Sequence, residues 1–234
     1  MPVEHRLADD AALAHGLGAD VAERLREAIV QRGHALLAVS GGRSPIPFLQ
    51  ALSREQLDWA EVTVILVDER CVPDSHPDSN AALVRQHLLQ GPASAACFVP
   101  FFEAPPAASD DATLDALQSH SQTLLAPLSW PLDVAVLGMG LDGHTASLFP
   151  GAPGLGHALT TKAHCAWVRP VADAPPRLTL SLSTLLQSRH LALQISGAAK
   201  LAVYARALRA ATAELPVSLL LRQNQTPIAT WIGA

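Results

Sequence analysis

An acid and a histidine, Asp142 and His144, stand two positions apart inside the run Gly138-Met139-Gly140-Leu141-Asp142-Gly143-His144-Thr145-Ala146-Ser147-Leu148-Phe149-Pro150. An imidazole takes a proton near neutral pH, and a neighbouring carboxylate orients the ring; together they make a positioned base. The glycines let the backbone turn sharply and offer N–H groups to a polar ligand. The run follows Val134-Ala135-Val136-Leu137, an apolar stretch that reads as a buried strand. The spacing predicts that Asp142 and His144 open a short helix, which Pro150 ends within two turns. A helix N-terminus disfavours the imidazolium, so His144 is the candidate base. Asp142 either orients it or binds substrate. An isolated Asp-Gly-His is more often a capping acid beside a packed histidine; the glycines and the strand-end position favour chemistry here.

Two further polar clusters end apolar runs. Ser40-Gly41-Gly42-Arg43-Ser44-Pro45 follows Ala35-Leu36-Leu37-Ala38-Val39 and precedes a helical stretch. Ser40, Arg43 and Ser44 supply side-chain donors, and Gly41 and Gly42 permit close backbone approach, so the segment reads either as a phosphate cradle or as a tight βα turn. No Gly-Lys-Ser/Thr follows, so it is not a Walker A loop. Asp68-Glu69-Arg70 follows Val62–Val67. Its charges are either a solvated strand end, the commoner case, or a site in which Arg70 meets a carboxylate, a phosphate or a developing oxyanion. Asn80 is a turn residue or a support for that site. Arg177 follows Pro175-Pro176 at the start of a strand. Lys200 falls in the first turn of a helix, where a lysine opposes the dipole unless a bound anion offsets it.

Gly138 to Gly143 also matches the dinucleotide fingerprint, but the context fails. That fingerprint needs a long helix and an acid about twenty residues on. Pro150 stops the helix, and the next acid after Asp142 is Asp173, thirty-one positions later.

These clusters must be carried by a framework. Asp9 to Arg32 reads as one amphipathic helix, N-capped by Asp9 or Asp10 and ended by Gly33. Helices are also predicted from Pro45 through Leu52, from Asn80 to about Gln90, from Asp110 or Asp111 through about Leu125, over Gly197–Thr212 and from Pro216. Strands are predicted at Ala35–Ser40, Val62–Val67, Phe98–Phe101, Val134–Leu137, Ala166–Arg169, Arg177–Ser183, His190–Ile195 and Ile228–Ile232. Pro150–Ala158 reads as an irregular loop. Strands without alternation, separated by helices, imply a mainly parallel sheet covered on both faces: an α/β class, Rossmann-like, three-layer α/β/α sandwich. Ligands of such folds bind outside the carboxyl ends of the strands, where all three clusters fall. With no internal repeat or linker, residues 1–234 read as a single domain.

Composition narrows the classes. The chain has 234 residues and is 49% hydrophobic but only 4% aromatic, so the core is aliphatic and not disordered. A formal net charge of −5 argues against a nucleic-acid footprint. Cys71, Cys97 and Cys165 are odd in number and widely spaced, which suggests a reducing compartment. No CxxC or HExxH pattern points to a metal, and none is expected. Met1 to Arg6 lacks the apolar region of a signal peptide, and no apolar stretch is long enough to span a bilayer, so a cytoplasmic protein is expected. Of sixteen basic residues only Lys162 and Lys200 are lysines.

Taken together, Ser40 to Pro45, Asp68-Glu69-Arg70-Cys71-Val72-Pro73 with Asp78-Ser79-Asn80, Gly138 through Gly151, Pro176-Arg177-Leu178-Thr179 and Ser196-Gly197-Ala198-Ala199-Lys200 resemble the 6-phosphogluconolactonase family, in its order and over nearly the whole chain. Ser44 stands where threonine is common and keeps the hydroxyl. The resemblance implies a fold shared with glucosamine-6-phosphate deaminase. It also implies hydrolysis of 6-phosphoglucono-δ-lactone to 6-phosphogluconate, in the oxidative pentose phosphate route, with no required metal or cofactor. By motif, His144 resembles the general base, and Arg70 and Asp142 match substrate-site residues. Ser40, Gly41, Gly42, Arg43, Ser44, Arg177 and Lys200 are expected to hold the phosphate, with Asp68 among the substrate-binding residues. A δ-lactone is an activated ester, so no covalent nucleophile is demanded. The expected partner is a small sugar-phosphate lactone, with no nucleic acid and no membrane, bound by a monomer or weak homo-oligomer.

Two rivals rank lower. In the related deaminases the loop continues into an Asn-Glu-Pro segment whose acid supports the histidine; here Phe149 runs into Pro150-Gly151, and Arg70 replaces an aromatic. A sugar-phosphate sensor of transcription regulators would carry a basic helix-turn-helix ahead of the sheet, and the residues before Ala35 read as one non-basic helix.

Overall fold

The longest unalternated apolar runs form the middle of the molecule. The computed structural model describes residues 2–170 and 174–234; Asp173, the sequence landmark above, lies outside them. β2 (Ala35–Val39), β3 (Val62–Leu66) and β6 (Val134–Leu137) lie side by side in the order β6-β2-β3, and every residue of β2 and β6 is buried. Both faces of such a strand are covered, which explains why neither alternates. β9 (Leu191–Ser196) and β10 (Ile228–Gly233) extend the sheet beyond β6, and β5 (Cys97–Val99) extends it beyond β3. With β1 (Val3–Arg6) at the edge, the order is β1-β10-β9-β6-β2-β3-β5, and every pairing is parallel.

β1 departs from the sequence reading, which placed only a helix before Ala35. Val-Glu-His-Arg carries no apolar signal because an edge strand is held by main-chain hydrogen bonds to one neighbour; Val3 is 61% exposed. The helix itself begins and ends as its caps dictate. α1 (Asp10–Arg32) starts after Asp9, whose carboxylate accepts from Ala12 N–H at 2.7 Å, and stops at Gly33 with φ 76°. α1 packs on β2, β6, β10 and α2 (Ile46–Leu52).

The remaining helices are α3 (Asn80–His87), α4 (Asp111–Leu125), α5 (Leu155–Thr160), α6 (Leu182–Leu186), α7 (Ala198–Ala207) and α8 (Val217–Leu221). With α1 and α2 they complete a three-layer α/β/α arrangement. α5 overlaps the stretch read as an irregular loop and runs two residues past it. The strand read over Arg177–Ser183 stops at Leu180, because the Ser181 hydroxyl accepts from Thr184 N–H and opens α6.

A second correction matters for the site. β4 (Asp68–Arg70), β8 (Arg177–Leu180) and β7 (Cys165–Val168) form a separate antiparallel sheet in the order β4-β8-β7. This small sheet sets Asp68 opposite Thr179, and Arg70 opposite Arg177. Among the described residues no helix is long and apolar enough to cross a membrane.

Candidate active site

The carboxyl ends of β2, β6 and β9 and the small sheet surround a cavity of about 350 Å³. Ser40, Gly41, Gly42, Arg43, Ser44, Asp68, Arg70, His144, Arg177 and Lys200 all line it. Asp142 does not line it and stands behind His144 instead.

The loop after β2 is knitted to the end of β6. The Ser40 hydroxyl donates to the Val136 carbonyl at 3.0 Å and accepts from Gly138 N–H at 3.3 Å. That hydroxyl is engaged inside the protein, so Arg43, Ser44 and the backbone N–H groups are the donors left for an anion. Gly41 is required by close approach: a Cβ there would sit 1.8 Å from the Asn80 Oδ1. Lys200 reaches the cavity as the third residue of α7, as its sequence position suggested.

The Asp68-Glu69-Arg70 cluster is not a solvated strand end. Asp68 and Glu69 are 8% and 3% exposed. Glu69 accepts from the N–H groups of Arg70, Asn80 and Ala81 at 2.7, 2.9 and 2.7 Å, and so caps α3. Burial raises its pKa against the pull of those donors. Asn80 is a support: its side-chain amide donates to the Asp68 carbonyl at 2.8 Å. Burial pushes the neighbouring Cys71 thiol to about 12, with the Glu69 charge adding to the shift, so no thiolate forms there at neutral pH.

Arg70 and Arg177 face each other across β4 and β8. Arg70 donates to the Asp78 carbonyl, yet the Nε of each guanidinium is buried without a partner. Among the described residues neither arginine forms an ion pair, and nor do Arg43 and Lys200. Burial lowers the Arg177 pKa, and the Arg70 charge lowers it further. Like charges directly opposite in an antiparallel pair are destabilising, and an anion between them removes that cost. The chain is net acidic, so four unpaired cations at one cavity are a local feature rather than a reflection of bulk charge.

No helix follows Gly143. Residues 141–150 form turns with an isolated bridge between Thr145 and Leu148, because Gly143 at φ 83° and Ala146 at φ 48° leave helical geometry. No helix N-terminus therefore acts on His144, contrary to the sequence expectation. Asp142 orients the ring instead: its Oδ1 lies 2.6 Å from the His144 Nδ1 and also accepts the His144 N–H at 3.1 Å. An ionised carboxylate there places the proton on Nδ1 and leaves Nε2 as the basic nitrogen. Gly140 is essential to this packing, since a Cβ would lie 2.2 Å from the imidazole. The Phe149 ring packs against the other side, 4.4 Å from the His144 ring centre.

Four residues carry parts of this arrangement without having been singled out. Ser147 and Thr179 are fully buried beside Asp68, Phe149 lies between His144 and Arg177, and Gln194 donates to the Ser44 carbonyl at 3.3 Å. Gln194 had a visible signal, as the polar interruption of the apolar run Leu191-Ala192-Leu193-Gln194-Ile195.

The model of the family described as glucosamine-6-phosphate isomerases/6-phosphogluconolactonase matches residues 8–230. A 6-phosphogluconolactonase of Pseudomonas aeruginosa is 47% identical over 216 residues, covering 91% of this chain and 88% of its own length. One of Rhizobium meliloti is 43% identical, covering 96% and 95%. The crystal structure of a 6-phosphogluconolactonase from Shewanella baltica superposes with a TM-score of 0.93 at 38% identity, over 100% of this chain and 98% of that one. On the match of fold, motif order and sequence, the chain belongs to the glucosamine-6-phosphate isomerase/6-phosphogluconolactonase family.

Proposed function

We propose that this chain hydrolyses the ring ester of 6-phosphoglucono-δ-lactone to 6-phosphogluconate, with His144 as general base. The observation that carries the reading is the Asp142-oriented imidazole on a cavity also lined by two half-buried arginines without carboxylate partners among the described residues. The similarity to proteins named 6-phosphogluconolactonase supports a phosphorylated sugar lactone as the substrate.

The chemistry follows from the positions. Water attacks the lactone carbonyl carbon while Nε2 of His144 takes its proton, and Asp142 balances the imidazolium. The carbonyl oxygen becomes an oxyanion, which Arg70 stabilises. The carbon–ring oxygen bond then breaks, and His144 returns the proton to the departing ring oxygen. The acyl carbon leaves as a carboxylic acid, which loses its remaining proton to solvent to give the carboxylate, with no covalent intermediate on the protein. Arg43, Ser44, Lys200, Arg177 and the N–H groups of Gly41 and Gly42 hold the phosphate, so that remote binding energy fixes the ring. Asp68, a carboxylate, suits sugar hydroxyls rather than phosphate.

The lactone opens spontaneously, so the test generates it in situ with glucose-6-phosphate dehydrogenase. A second coupled dehydrogenase reports 6-phosphogluconate. The wild-type rate should exceed the background clearly, and His144→Ala should lower kcat by about 10²–10⁴-fold with the fold intact. A wild-type rate equal to background overturns the reaction; full activity in the variant overturns the base.

A further inference from the structure

We infer that Ser147 is a positioning residue whose hydroxyl holds the Asp68 carboxylate off the Arg70–Arg177 pair, keeping those guanidiniums open to substrate. The inference rests on the lactonase reading above and deepens it.

The register of the small sheet sets up the problem. Side chains two apart on a strand share a face, so Asp68 and Arg70 lie on one face of β4, and Arg177 and Thr179 on the matching face of β8. One buried carboxylate therefore sits two register pairs from two half-buried guanidiniums that form no ion pair among the described residues. Left to itself, such a carboxylate swings into a bidentate ion pair, the strongest geometry open to it. That pair would fill the site with an internal anion.

It does not form because both carboxylate oxygens are held elsewhere. The Ser147 hydroxyl donates to the Asp68 Oδ2 at 2.5 Å, and the Asn80 amide approaches Oδ1 at 3.5 Å. Ser147 is itself fixed: it is fully buried, and its N–H donates to the Thr179 Oγ1 at 3.2 Å, the residue directly opposite Asp68. One serine thus grips both members of the cross-strand pair next but one to the arginines.

The backbone around it is built to hold that grip. Thr145 donates to the Gly138 carbonyl at 2.8 Å, tying the segment to the end of β6, while Ser147 ties it to β4 and β8. Ala146, between these anchors, is held at φ 48°, a left-handed conformation that survives only where the surroundings over-determine it. Phe149 continues the strap, with its ring against His144 and 5.9 Å from the Arg177 guanidinium carbon. The short run from Thr145 to Phe149 therefore joins the base on the large sheet to the arginines on the small one.

The test is a double-variant cycle in the coupled lactonase assay. Ser147→Ala should lower kcat/KM by about 10–100-fold, the scale of one charge-assisted hydrogen bond. Ser147→Cys keeps the volume but donates poorly, and should show a similar loss with an unchanged thermal midpoint. In an Asp68→Asn background no carboxylate remains to collapse, so adding Ser147→Ala should cost little more. Wild-type activity in Ser147→Cys, or fully additive losses in the double variant, overturns the inference. So does unfolding of both single Ser147 variants, which would assign the residue to packing. A wild type no faster than background removes the lactonase reading and this inference together, whereas an active wild type with unaffected Ser147 variants removes this inference alone.

Discussion

At the amino ends of β2, β6 and β9, the Asp133 carboxylate accepts from Leu36 N–H at 2.8 Å and pairs with Arg32 at 2.6 Å and Arg189 at 3.3 Å. At the carboxyl ends of the same strands, four cations face a cavity without an ion partner among the described residues, two of them with a buried Nε that bonds to nothing. Around Asp133 the amino end is a closed network, although the nearby Ser188 Oγ and His190 Nε2 are buried without a partner. The carboxyl end is an open one, and under the proposed reading its cations serve the substrate's phosphate and oxyanion. A buried network left open costs stability in the free protein, so its persistence marks the end at which function resides. Each variant below should therefore separate stability from catalysis, in a direction set by the end it touches.

The largest separation is expected at Arg177. Arg177→Met keeps the buried stem, removes the charge opposed to Arg70, and removes a donor from the cavity. It should lower kcat/KM by about 10–100-fold, as loss of a charge-assisted contact does. The urea midpoint should hold or rise, because a like-charge pair is relieved. A fall in both quantities would mean that the guanidinium supports the fold, and the contrast between the two ends would fail.

Asp133→Ala is the mirror image. It strands the Leu36 N–H and frees two arginines that are already partly in solvent, so the cost should be about 2 kcal/mol from the buried donor rather than a full buried-pair penalty. Chemical denaturation measures it, and kcat at a temperature where the variant is folded should be unchanged. The same end also titrates. Burial pushes His190 down to about 4, aided by the Arg24 charge. Between roughly pH 6.5 and 4 the unfolded chain binds a proton that the native state does not, so stability falls as pH falls through that window. The effect is roughly 1 kcal/mol once solvent screening is allowed for. Replacing His190 with Leu should flatten the urea midpoint over that range; an unchanged acid slope would assign it to other groups.

What could be read in the sequence follows the same division. β2 and β6 were legible because burial on both faces leaves an unbroken apolar run, and α1 because Asp9 and Gly33 mark its ends locally. The clusters at the strand ends were legible as residue types, since Ser40 to Ser44 and Asp68 to Arg70 follow apolar runs directly and His144 follows one through a glycine-rich turn. Long-range pairing was not. Nothing local tells Arg70 that it lies opposite Arg177, or Ser147 that its partner stands 79 positions earlier. The helix expected after Gly143 failed for a related reason: Ala146 adopts a backbone that its own residue type disfavours, and only its tertiary anchors explain it. β1 was missed because an edge strand needs hydrogen bonds to a neighbour more than it needs a pattern.

Ala146 offers the smallest effect and the sharpest sign. An L-residue in the left-handed region costs about 1–2 kcal/mol, while glycine there gives back about 0.5–1 kcal/mol through the extra entropy of its unfolded chain. The difference favours glycine, so Ala146→Gly should raise stability by about 0.5 kcal/mol in urea titrations. The freed backbone also loosens the tie between His144 and Ser147, and kcat should fall while Asp133→Ala leaves it alone. Opposite signs in the two variants, one more stable and slower, the other less stable and as fast, are what a strained carboxyl end over a satisfied Asp133 network requires. A less stable Ala146→Gly would show that the positive φ is not a source of strain, and that the segment from Thr145 to Phe149 holds its shape without cost.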